Sequence, residues 1–108
     1  MKSREGVFLV RLQPFDVDGL RVIGVEVALP KTRLLVLTTD KGYIMCGALD
    51  VKLLNEKLAE RGILAGRAVG VRSLEDLLEA PLESVTLEAE RRGIRPGMTG
   101  REALLKMA

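Results

Sequence analysis

Between residues 7 and 46 the apolar residues arrive in short runs, each ended by turn-forming residues before a helix could become established. Pro14, Asp18-Gly19, Pro30-Lys31-Thr32 and Asp40-Lys41-Gly42 supply the punctuation. Such spacing leaves room for strands joined by tight connections and for little else. The first strand is predicted over residues 7–13, with Phe8, Val10 and Leu12 on one face, Arg11 and Gln13 on the other, and Pro14 as its end. The second covers residues 20–29. Ile23, Val25, Val27 and Leu29 form its apolar face, and Gly24 and Glu26 lie opposite. Residues 33–39, with Leu34-Leu35-Val36-Leu37, are apolar on both faces and so belong in the middle of a sheet. A hairpin at Asp40-Lys41-Gly42 returns the chain as a strand over residues 43–46.

The pattern then changes period. Asp50 is a good helix N-cap, and Val51, Leu54 and Leu58 recur at helical spacing before Gly62 ends the segment, which predicts a helix over residues 50–61. A strand over 64–71 follows, made of unusually small residues that invite close packing by the preceding helix or by another subunit. Ser73 with Asp76 opens a short helix over 74–79. Pro81 suits the first turn of a further helix ending at Gly93, and Thr99 with Glu102 is a capping box for a last helix running to Met107. The expected fold is α+β: a mostly antiparallel meander sheet with one right-handed strand-helix-strand crossover and C-terminal helices packed on the sheet. Residues 1–108 make a single domain, with 1–18 an N-terminal extension or edge strand.

Composition removes several chemistries. There is no histidine, which excludes a Ser-His-Asp triad, a His-ligated metal and a histidine acid or base. One cysteine allows no disulfide within the chain and no thiolate zinc site. No metal and no cofactor are expected. The 17 basic and 15 acidic residues are spread evenly, and aromatics are 3% of the chain, so neither a nucleic-acid footprint nor a base-stacking platform is expected. No apolar run approaches a membrane span, and the Met-Lys-Ser-Arg-Glu-Gly start has no signal-peptide core. A cytoplasmic location follows as the expectation. Asn55 and Gln13 are the only side-chain amides among 30% charged residues, a lean toward a heat-adapted source.

The crossover places a candidate site. If strands 43–46 and 64–71 are parallel, their carboxyl ends share one sheet edge, which collects Cys46, Gly47, Arg72 and Ser73 with two helix N-termini. The hairpin partner brings Lys31, Thr32 and Arg33 to the same edge. These seven residues are the candidate ligand-binding set, with Asp50 as a cap beside them. Cys46 has two readings: a thiolate activated by nearby cations, or a small buried hydrophobe. Arg72 and Ser73 read as an anion clamp or as a solvated arginine beside a helix cap. Three functions stay open. The first is a homo-oligomeric module binding a small anionic or carbonyl-bearing ligand near Cys46 and Arg72. The second is a structural homo-oligomer without a ligand, and the third a cysteine-dependent enzyme using Cys46.

The stretches GYIMCGALD at residues 42–50, AGRAVGVR at 65–72, LLEAPLESVT at 77–86 and GIRPGM at 93–98 resemble the YunC-like family, domain of unknown function 1805. IGVEV at 23–27 and LPKT at 29–32 fit as well, so the resemblance spans residues 19–106. It implies a small stand-alone α+β domain and carries no activity and no catalytic residue with it. Residues 1–13 extend beyond what the resemblance leads one to expect.

Overall fold

The computed structural model describes residues 9–47 and 62–108. Among these residues six strands lie in one sheet in chain order: β1 (Leu9–Val17), β2 (Leu20–Leu29), β3 (Thr32–Thr38), β4 (Tyr43–Met45), β5 (Ala65–Arg67) and β6 (Ser84–Val85). Among the described residues three short helices accompany them, α1 (Leu74–Glu79), α2 (Leu87–Arg91) and α3 (Gly100–Leu105). β1 to β4 form the antiparallel meander. β4 and β5 pair in parallel, with Tyr43 beside Ala65 and Met45 beside Arg67, and β6 returns antiparallel. The α+β class and the single parallel pair are as expected. The connecting helix over 50–61, its cap Asp50 and the hand of the crossover lie outside the described residues.

Four local expectations change. Pro14 does not end the first strand; β1 runs through it to Val17. Asp18 and Gly19 sit at φ 51° and 90°, the two positive values of a type I′ turn, and Asp16 Oδ1 accepts the Gly19 N–H at 2.7 Å. Val17 and Leu20 therefore form the hydrogen-bonded pair that closes the hairpin. Counting back by twos leaves Pro14, opposite Ile23, with its ring nitrogen pointing away from β2. Because β1 is the outermost of the described strands, no ladder hydrogen bond among them is lost there.

The second change is which face of β2 is the core. Val22, Gly24 and Glu26 are buried, while Ile23, Val25 and Val27 are only half-buried on the opposite side. The helices decide this. α1 packs on β2 and β3, α3 packs on α1 and β4, and Leu74 occupies the space above Gly24. A Cβ at position 24 would lie 2.8 Å from both Leu74 Cδ1 and Phe15 Cε2. The core is thus Val22, Leu35, Leu37 and Ile44 from the sheet with Leu74, Leu77, Leu104 and Met107 from the helical side.

Third, the strand expected over 64–71 is paired only over Ala65–Arg67, and Gly70 at φ 74° turns the chain soon afterwards. Its small residues make room for Leu82, whose Cδ1 would lie 2.8 Å from a Cβ at Gly66. Among the described residues the close neighbour at Gly66 is therefore the connection after α1; the preceding helix lies outside them.

Fourth, Pro81 does not start a helix. It bridges to Thr99, and the chain adds β6 before Thr86 caps α2. Thr86 is buried and fully used. Its hydroxyl donates to the Ile63 carbonyl at 2.7 Å and accepts the Ala65 N–H at 3.1 Å and the Ala89 N–H at 3.3 Å. The sheet partner, absent from local sequence, is what delays the helix. The Thr99–Glu102 capping box is complete as expected, though the helix proper ends at Leu105.

Candidate functional site

The corner where β2 turns into β3 holds most of the charge of interest. Leu29 and Thr32 close the turn, leaving Pro30 and Lys31 as the loop. Proline fixes its own φ near −65°, so the left-handed residue falls on Lys31, at φ 65°. A non-glycine residue there costs about 1–2 kcal/mol. The segment before α1 lies against this turn. Between them is an open cleft of about 650 Å³ whose polar lining is Lys31, Thr32, Arg33 and Arg72. Ala28, Leu29 and Val71 supply its apolar lining.

Four of the seven candidate residues therefore meet. Among the described residues, neither the Lys31 ammonium nor the Arg72 guanidinium has a hydrogen-bond or ion-pair partner. Arg33 is partly engaged, donating from Nη1 to Glu26 Oε2 at 3.1 Å. Glu26 is buried, and its other oxygen accepts from Arg11 Nη2 at 2.5 Å. The triad crosses three adjacent strands on one face, since Arg11 and Leu35 flank Glu26 directly and Arg33 lies one pair along. A buried carboxylate requires such partners. Glu26 and Arg11 were not among the sequence candidates. The available signal was a lone carboxylate in a valine-rich strand, opposite Arg11 on one side and diagonal to Arg33 on the other once the two hairpins are registered.

The other three candidates do not line the cleft. Cys46 is buried in the core. The Cys46 N–H bonds the Leu35 carbonyl at 3.0 Å, but the return bond is made by sulfur: Sγ accepts the Leu35 N–H at 3.3 Å. The S–H in turn donates to the Arg33 carbonyl at 3.7 Å. β4 leaves the sheet at this point, and one thiol serves a donor and an acceptor of β3. A thiolate could not make the second contact. The expected meeting of sulfur with the Arg72 guanidinium is replaced by a meeting of sulfur with the main chain behind Arg33.

Ser73 is a helix cap: its hydroxyl accepts the Asp76 N–H at 3.0 Å. Asp76 reaches back one residue further than a full capping box would, with Oδ2 accepting the Arg72 N–H at 3.1 Å. That bond fixes the main chain of Arg72 and leaves its side chain to the cleft. α1 has six residues and its first turn is capped, so it offers no anion site of its own. Gly47 instead meets Arg67, a residue outside the candidate set. Arg67 Nη2 donates to the Gly47 carbonyl at 2.9 Å and Nη1 to Glu83 Oε1 at 2.9 Å. Among the described residues no group of three or more carboxylate or thiol side chains could hold a metal ion, and no helix is long and apolar enough to cross a membrane.

Residues 45–107 match the family profile DUF1805, a domain of unknown function. The chain is 63% identical over 99 residues to the uncharacterized protein YunC of Bacillus subtilis, covering 92% of this chain and 98% of that one. Its fold is similar to the crystal structure of a protein of unknown function, TA1206, from Thermoplasma acidophilum. The TM-score is 0.85 at 28% identity, over 95% of this chain and 97% of the other.

Proposed function

The chain belongs to the DUF1805 family, and from that footing we propose that it is a small homo-oligomeric, non-catalytic domain that binds a small anionic or carbonyl-bearing ligand. The site is the cleft between the β2–β3 turn and the segment before α1. The observation that carries this reading is the pair of cations, Lys31 and Arg72, that converge on a cleft without carboxylate partners among the described residues. Guanidinium and ammonium donors recognise carboxylate or phosphate oxygens, and Thr32 adds a hydroxyl beside them. Isothermal titration with acetate, octanoate and inorganic phosphate at low salt tests it. Binding that disappears in the Lys31→Gly, Arg72→Ala double variant supports the site. Absence of binding, or binding that the double variant retains, overturns it.

Self-association draws on a separate observation. Val10 and Leu12 project from the outer strand at 65% and 67% exposure, on the same sheet face as the half-buried Val25 and Val27. Exposed aliphatic side chains in register on a sheet favour a covering partner. Light scattering at micromolar concentration reads the oligomeric state, and a monomer there removes this part of the proposal. Cysteine-dependent catalysis is disfavoured, because the Cys46 sulfur is buried and already serves Leu35 and Arg33. Iodoacetamide labelling of folded protein is expected to be slower than labelling of a free model thiol.

A further inference from the structure

Resting on the cleft reading above, we infer that the ligand is a carboxylate carried on an apolar body, and that the cleft reads both ends of it. Its lining divides by chemistry. Lys31, Arg33, Arg72 and Thr32 are donors suited to an oxyanion, while Leu29 and Val71 present aliphatic surface next to them. Phosphate sites of the backbone type need glycines, which let main-chain N–H groups close around the anion. No glycine lines this cleft. Its donors are long side chains on flexible stems, apart from one hydroxyl, and these suit two oxygens of a planar head better than a caged tetrahedral one. An anion without an apolar part would leave Leu29, 39% exposed, in contact with water and gain nothing from it. A carboxylate with a hydrocarbon body covers Leu29 and Val71 while its head takes Arg72 and Lys31. Pockets of about 300–1,000 Å³ with a few placed polar groups hold ligands of this size.

Titrating the full-length protein with acetate, butyrate, hexanoate, octanoate, 1-octanol and inorganic phosphate separates the possibilities. Affinity is expected to rise about fourfold for each methylene the cleft covers. Leu29→Ser is expected to flatten that rise, and Arg72→Gln to weaken every carboxylate by about tenfold or more. If acetate or phosphate binds as tightly as octanoate and the binding needs Arg72, the apolar half of the inference falls and the cleft reading stands. If 1-octanol matches octanoate, if Arg72→Gln changes nothing, or if no probe binds, both fall together.

Discussion

Four cationic side chains gather around the β2–β3 hairpin, and they divide into two pairs. Arg11 and Arg33 close on the buried carboxylate of Glu26, at 2.5 and 3.1 Å. Lys31 and Arg72, on the same cleft as Arg33, close on nothing among the described residues. The first pair is explained by the fold: a carboxylate taken out of water needs charge and hydrogen bonds around it. The second pair has no such debt. Its members are held in place by main-chain features, a left-handed residue for Lys31 and the Asp76 bond for Arg72, while their heads are left to solvent or ligand. The difference separates charge that holds the sheet together from charge that is available for recognition.

The strongest attempt to break that distinction is Glu26→Gln. It should cost about 2 kcal/mol in urea unfolding, less than the 3–5 of fully buried pairs because both arginines can turn to solvent. A loss below about 0.5 kcal/mol would mean that Glu26 does not organise the corner. Cys46→Ala probes the same corner from behind, since the thiol satisfies the main chain on either side of Leu34. About 1–2 kcal/mol should be lost, and Cys46→Ser, which keeps a donor and an acceptor, should recover part of it. Lys31→Gly sharpens the contrast most directly. Relief of the positive φ should raise stability by up to about 1 kcal/mol while anion affinity falls, two readouts moving in opposite directions. Arg72→Ala should leave stability within about 0.5 kcal/mol and lower affinity alone.

The smallest effect concerns a surface pair away from the corner. Arg101 on α3 donates to Glu79 on α1 at 2.7 Å, and that hydrogen bond holds the Glu79 carboxyl below its ordinary value. A depressed carboxyl contributes stability that is present above its unfolded-state pKa and lost as pH falls through the folded one. Both groups are solvent-exposed, so Arg101→Gln should only flatten slightly the acid limb of a stability–pH profile.

Much of the frame was legible because local chemistry decided it. The Asp18-Gly19 turn, the Ser73 and Thr99 caps and the parallel pairing of β4 with β5 all follow from short motifs and connection length. The errors share one cause, which is partners distant in sequence. Pro14 is tolerated because its ring nitrogen points away from β2, on the outermost of the described strands. Thr86 rather than Pro81 begins α2 because Ala65 and Ile63 claim its neighbourhood first. The core face of β2 was misread because side-chain size pointed to Ile23, Val25 and Val27, whereas Leu74 selects the side with Gly24. In the site, the convergence of Lys31, Thr32 and Arg33 with Arg72 was readable from topology. The burial of Glu26 between Arg11 and Arg33 and the inward turn of Cys46 required the register of three strands.

The unusual place of Pro14 has a consequence for how molecules of this protein meet. Among the described residues the outermost strand runs nine residues, and such an edge would template the addition of a further chain along its length. The imino nitrogen interrupts that row of donors at its middle, and at the opposite margin of the described strands Ser84–Val85 offers a two-residue edge. Among the described strands both borders thus discourage end-to-end growth into a fibril, and the stacked faces are left for association.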